Sequence, residues 1–182
     1  MKQACIVYAS RYGSTRNYAN WLAEALQIPA CPTAAAETAQ LEACRLLIFG
    51  GGLYAERLNG IGWLERQMRA RPDRTYLVFA CGLSDPQSPE TCRRIQASVQ
   101  NALPQPAQVF YLRGGMDYAR LGRRDRMMMA LFCRMLRSRP AEAQSEQVRQ
   151  LLASYGKSVD YTDPAALAPL IEAARKCSGC FT

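Results

Sequence analysis

Six consecutive residues, Ser10-Arg11-Tyr12-Gly13-Ser14-Thr15, supply three aliphatic hydroxyls, a phenol, a cation and a glycine within one turn. The apolar, β-branched run Ala4-Cys5-Ile6-Val7-Tyr8-Ala9 before them reads as a buried strand. After them, Tyr18, Trp21, Leu22, Ala25 and Leu26 recur at helical spacing. A strand-to-helix turn of this composition aims backbone N–H groups and a helix N-terminus at one point, where an anion is favoured. Ser14 also fits a plain helix cap. Two further clusters could share in that chemistry, Gly50-Gly51-Gly52 and the turn Gly82-Leu83-Ser84-Asp85-Pro86, each after an apolar run. A last candidate, Cys177-Ser178-Gly179-Cys180, reads as a redox dithiol, half of a metal site completed by a second chain, or two reduced thiols on a frayed tail.

The elements that must position these residues follow from the pattern. Arg45-Leu46-Leu47-Ile48-Phe49-Gly50, Thr75-Tyr76-Leu77-Val78-Phe79-Ala80-Cys81 and Ala107-Gln108-Val109-Phe110-Tyr111-Leu112 read as strands, and Ile28–Pro32 as a short edge strand. Helices are expected over Leu58–Arg69 and Pro89–Leu103, with a brief one within Thr33–Glu42. Strands alternating with helices imply parallel βαβ units, with ligands bound at the C-terminal edge of the sheet. The three turns should therefore converge.

Composition narrows the function. The 182 residues, 49% hydrophobic and 21% charged, suit one globular domain over 1–182. No histidine is present, which excludes Ser-His-Asp triads, Cys-His dyads and histidine metal sites within one chain, and no metal is expected. No apolar run reaches the roughly 18 residues of a membrane span, and the first residues lack a signal peptide's layout. Eight cysteines, with Cys5, Cys44 and Cys81 inside apolar runs, suit reduced buried thiols. A cytoplasmic location is expected.

Net charge is +8, from 20 arginines and 3 lysines against 15 acids. Residues 113–139 hold eight arginines and two aspartates. On a helical projection Arg123, Arg126, Arg134 and Arg137 share one arc, and Met128, Leu131, Phe132 and Met135 lie opposite. The plain expectation is a last sheet-covering helix with solvated arginines. The sharper one is weak contact with an anionic membrane surface. No aromatic residue is interleaved among these arginines to stack bases, so nucleic acid is not expected.

On Ser10, Arg11, Tyr12, Gly13, Ser14 and Thr15, together with "IFGGGLYAERL" and "RGGMDYARLGRRDRMMMALF", residues 1–163 resemble flavodoxin-like domains. The last segment resembles the menaquinone-dependent protoporphyrinogen oxidase branch and its flavodoxin-domain relatives. The resemblance implies a doubly wound five-stranded parallel sheet, order 2-1-3-4-5, with helices on both faces and an extension from about 164 ending in the CxxC. It implies noncovalent flavin mononucleotide (FMN), with its phosphate on the loop 10–15 and its ring beside Gly51-Gly52-Leu53-Tyr54 and Cys81-Gly82-Leu83-Ser84. Tyr54 would stack on the ring. The turn at 82–86 has no aromatic residue to cover the ring, and Tyr118 is the substitute candidate. Flavodoxins that carry electrons are typically acidic around the flavin, whereas this chain is basic. An FMN-dependent oxidoreductase passing electrons or hydride to a redox partner or quinone-type acceptor is expected, with a non-catalytic electron-transfer module as the alternative and a homodimer as a possible assembly.

Overall fold

The computed structural model describes residues 4–36, 41–54, 57–117, 122–138 and 155–179, together with 140, 148–149 and 152. The main strands are β1 (Ala4–Ala9), β2 (Ala30–Pro32), β3 (Leu46–Tyr54), β4 (Arg57–Leu58), β5 (Thr75–Gly82) and β6 (Gln108–Arg113). The helices are α1 (Ser14–Leu26), α2 (Ile61–Ala70), α3 (Pro89–Asn101), α4 (Arg123–Arg137) and α5 (Ala168–Ser178). Five strands run parallel in the order β2-β1-β3-β5-β6, which is the expected 2-1-3-4-5 arrangement. β4 adds an antiparallel step against the end of β3, pairing Leu53 with Leu58. A separate antiparallel ribbon joins β7 (Gly115–Asp117) to β8 (Ser158–Asp160).

Successive strand residues alternate between two cores, as the pleat requires. Val7, Phe49, Val78 and Val109 stand in register and face α2 and α3, meeting Leu64, Met68 and Val99. Ile6, Ile48 and Leu77 face the other way, onto Tyr18, Leu22 and Leu26 of α1. Both faces are thereby covered, and the strands read as continuous apolar runs for that reason. β2 is the edge strand that Pro29 and Pro32 foreshadow, because an edge tolerates missing N–H donors.

The structure departs from expectation in four places. Gly51, Gly52, Leu53 and Tyr54 were expected in a loop but continue β3, since its glycines admit close neighbours. A Cβ on Gly50 would stand 2.1 Å from the Phe79 ring, and one on Gly51 would stand 2.7 Å from the Asn59 carbonyl. Leu58 lies in β4, and α2 starts only after Gly60, whose φ of 78° turns the chain into the helix. Of the brief helix expected within Thr33–Glu42, a 3-10 turn forms over Thr33–Ala35 and Leu41 and Glu42 are helical, while residues 37–40 lie outside the described ones. Finally, α4 does not cover the sheet. That place belongs to α5 and the 3-10 turn Pro164–Leu167, which bury Leu167, Leu170 and Ala174 against Tyr18 and Leu22. The segment set apart as an extension thus completes one of the two cores.

Tyr18 fastens that completion. Its hydroxyl donates to the Arg113 carbonyl at 2.7 Å and accepts from the Asp163 N–H at 3.0 Å. One side chain on α1 so joins the end of β6 to the approach to α5. Tyr18→Phe would leave both backbone groups without this partner, at a cost of about 1–3 kcal/mol. The melting temperature should fall by about 2–4 °C per kcal/mol lost, and an unchanged melting temperature would show the bridge to be dispensable.

Burial also sets an alkaline limit. It raises the Tyr18 and Tyr111 hydroxyls and pushes the Cys81 thiol up from 9.0 to about 12. The folded state therefore keeps protons that the unfolded chain releases. This contribution to stability is whole below the ordinary thiol value and is lost as pH rises from 9.0 toward the folded-state values. Melting temperatures should decline above about pH 9, and Cys81→Ala should flatten that decline.

Candidate functional site

Because β1 ends at Ala9 and α1 starts at Ser14, four residues make the turn at the C-terminal edge of the sheet. Gly13 takes φ 101°, a conformation that side chains resist, and nothing among the described residues lies within 4 Å of where its Cβ would stand. Its N–H donates to Ser10 Oγ at 3.2 Å, and its carbonyl accepts from Asn17 N–H at 2.9 Å. Among the described residues no side chain caps α1, and its first turn holds no acid. An uncapped helix start with an open approach is a cradle for an anion, so these residues fit a phosphate group.

The hydroxyls of the turn are placed differently from one another. Ser14 Oγ accepts from Gly115 N–H at 2.8 Å and donates to the Gly115 carbonyl at 3.3 Å, so both of its functions are committed to β7. Thr15 is 3% exposed. Its hydroxyl stands beside the buried Cys81 thiol, which it lowers against the effect of burial, and lies 3.6 Å from where a Gly52 Cβ would be. Of the three Ser and Thr hydroxyls, that of Ser10 remains at the mouth of the turn, holding Gly13 in shape.

Arg11 and Tyr12 converge on one carboxylate. Arg11 Nη2 lies 2.6 Å from Asp125 Oδ2, and the Tyr12 hydroxyl donates to the same oxygen at 3.1 Å. Asp125 belongs to the first turn of α4 and is buried. It both ties α4 to the turn and orients the cation there. Sequence reasoning passed over Asp125; its signal was one of two acids in the arginine-rich window.

The other two rims meet the first, as parallel topology requires. The Asn59 N–H donates to the Gly52 carbonyl at 2.8 Å, closing the β3–β4 end. Leu53 Cδ1 approaches to 3.3 Å of where a Gly82 Cβ would stand. Tyr111 donates to the Ser84 carbonyl at 2.9 Å, and the Gly114 N–H to the Gly82 carbonyl at 2.7 Å. Gly114 lies against Ser14 and Cys81, with its Cβ position 3.3 Å from Ser14 Cβ. The Gly114-Gly115 pair was also missed, although two glycines directly after a strand are a visible signal of close backbone approach.

Ser10, Gly13, Ser14, Thr15, Gly52, Leu53, Cys81 and Gly82 are therefore drawn together at one sheet edge. Leu83 adds to a small apolar cluster there, with Tyr12, Met116, Met129, Tyr155 and Val159. Burial keeps Cys81 protonated at neutral pH, so it acts as packing and not as a nucleophile. The Tyr54 side chain, Tyr118 and Cys180 lie outside the described residues. Cys177 is exposed in the last turn of α5, about 15 Å along that helix from the end nearest Tyr18. Among the described residues no group of three or more metal-ligating side chains could hold a metal ion.

A family model described as Flavodoxin domain matches residues 5–143. Similar solved structures include oxidised Flavodoxin 2 from Bacillus cereus, at 12% identity and TM-score 0.44 over 92% of this chain and 99% of that one. Two-electron reduced Megasphaera elsdenii flavodoxin is 14% identical, with TM-score 0.44 over 59% and 82% of the two chains. Rubredoxin oxygen:oxidoreductase from Desulfovibrio gigas is 14% identical, with TM-score 0.43 over 95% of this chain and 37% of that one. Among curated proteins none matched. An anion cradle at the carboxyl edge of a 2-1-3-4-5 sheet and a family match over most of its length agree: the chain belongs to the flavodoxin domain family, an FMN-binding, electron-transfer fold.

Proposed function

We propose that the protein is an FMN-dependent oxidoreductase that takes electrons or hydride from a reduced substrate and delivers them to a quinone-type acceptor. Bound FMN supplies reversible one- and two-electron chemistry. The N–H groups at the start of α1 would hold its phosphate, with Gly13 and Ser10 shaping the loop and Arg11 adding positive charge. Gly51, Gly52 and Leu53 on one side and Gly82, Leu83 and Ser84 on the other would border the ring. The buried Cys81 thiol and the Tyr111 hydroxyl, which donates to the Ser84 carbonyl, would brace that border.

The observation that carries this reading is the rim. Asp125 anchors a helix rich in arginine and methionine directly to the phosphate turn, at 2.6 Å from Arg11. An electron carrier with an acidic rim repels anionic partners and destabilises an anionic reduced cofactor. A basic rim beside exposed apolar side chains favours such a cofactor and a lipophilic acceptor.

Two measurements test it. Ser10→Ala removes the acceptor that holds Gly13, and FMN affinity should fall roughly tenfold while riboflavin, which lacks the phosphate, is nearly unaffected. Gly13→Val should be worse, because a β-branched residue resists the positive φ. Equal losses for both ligands would move the phosphate elsewhere. The holoprotein should also turn over repeatedly between a chemical reductant and a soluble quinone. Reduction only through another redox protein, without quinone turnover, would establish the electron-transfer module instead.

A further inference from the structure

Helix α4 buries a narrow stripe, Asp125, Cys133 and Leu136 buried and Met129 half-buried, and Arg137 beside it lies over the Tyr155 ring. At about 100° per residue the stripe spans an arc of roughly 80°. Next to it stand Arg123, Arg126, Arg134 and Arg137, all exposed. The remaining arc, about 140° wide, carries Met127, Met128, Leu131, Phe132 and Met135, with Arg124 among them in the first turn. The five apolar side chains are 63%, 46%, 61%, 43% and 49% exposed. Soluble surfaces rarely show so many large apolar side chains on one helix face, and such a face marks an interaction site.

We propose that α4 is an interfacial helix that lays this face onto an anionic lipid bilayer. Its 15 residues are too few to span one, and among the described residues no helix is long and apolar enough to do so. The pattern is instead that of a helix in the interface plane: an apolar stripe entering the acyl boundary, with arginines beside it at the level of the headgroups. Charge decides against a second copy of the chain as the occupant. Apposing two such faces would bring two rows of four arginines together. Met127, Leu131 and Met135 are also flexible side chains suited to a fluid partner. The proposal deepens the lipophilic-acceptor reading, since it places the phosphate-turn end of the protein at the phase where quinones dissolve.

Vesicle flotation of the holoprotein tests it. Binding to phosphatidylcholine vesicles containing phosphatidylglycerol should exceed binding to phosphatidylcholine alone by at least roughly tenfold at low salt, and fall as salt rises. The double variant Arg123→Ser/Arg134→Ser should bind about 25-fold more weakly, near fivefold per arginine, with a shallower salt dependence. Leu131→Ser/Phe132→Ser should lose roughly tenfold or more, leaving only the electrostatic part. All four side chains are exposed, so flavin content and far-ultraviolet circular dichroism should not change. Equal binding to neutral and anionic vesicles, or none at low salt, would overturn the proposal. So would a dimer dissolved by Leu131→Ser/Phe132→Ser in a protein that ignores vesicles. Flotation is read without turnover: its failure leaves quinone reduction standing, and a protein that floats without reducing quinone loses only the oxidoreductase reading.

Discussion

The reciprocal pair of hydrogen bonds between Ser14 and Gly115 holds the candidate site together. A turn that offers an anion its N–H groups cannot also cap its own helix, so α1 begins without the side-chain partner that most helices recruit. The serine that would ordinarily cap it reaches across to the chain that leaves β6. The first turn of the fold is thereby fixed to the last crossing of the sheet, and Gly114 passes close beside it, where a Cβ would stand 3.3 Å from Ser14 Cβ. β7 and the apolar cluster around Met116 sit beside that clasp, and Asp125 ties the start of α4 to the same turn.

The rim is basic for a related reason. Arg11 alone would be a mobile surface cation, half exposed and expensive in side-chain entropy to fix. Asp125 orients it, and the Tyr12 hydroxyl shares the same carboxylate oxygen. Deeper in the protein, Arg74 shows the opposite use of the same residue type. It is buried, donates to the carbonyls of Leu41 and Cys44, and joins the start of β3 to the turn before β5. One arginine sits paired at the rim of the turn; the other braces loops at the far end of the sheet.

Much of this was legible in the residues. Fully apolar runs such as Leu46–Phe49 and Tyr76–Ala80 are what a doubly covered parallel strand requires, and the positions of the ligand turns follow from their ends. The strand order came from resemblance, because no local pattern encodes which strands are neighbours. β4, β7 and β8 were not legible: with two or three residues each, they are too short to show alternation. The orientation of α4 was hidden for another reason. Periodicity reveals that a helix has an apolar side, but it does not say whether that side meets protein. Here a stripe led by an aspartate faces inward, Met129 with it, and Met127, Met128 and Met135 face out. The commitment of the Ser14 hydroxyl to Gly115 and the place of Thr15 beside Cys81 join residues distant in sequence, and so became visible only in three dimensions.

The place of α5 has a consequence for biosynthesis. The ribosome releases the strands of the sheet first, and β6 is complete at Arg113. One face, with Ile48, Leu77 and Phe79 upon it, still waits for Leu167, Leu170 and Ala174. Through the translation of more than fifty further residues, several seconds at ordinary elongation rates, α1 alone covers that surface. A nascent chain in this interval presents an adhesive apolar slab, and stalling there would make it a substrate for chaperones before it could ever be a flavoprotein.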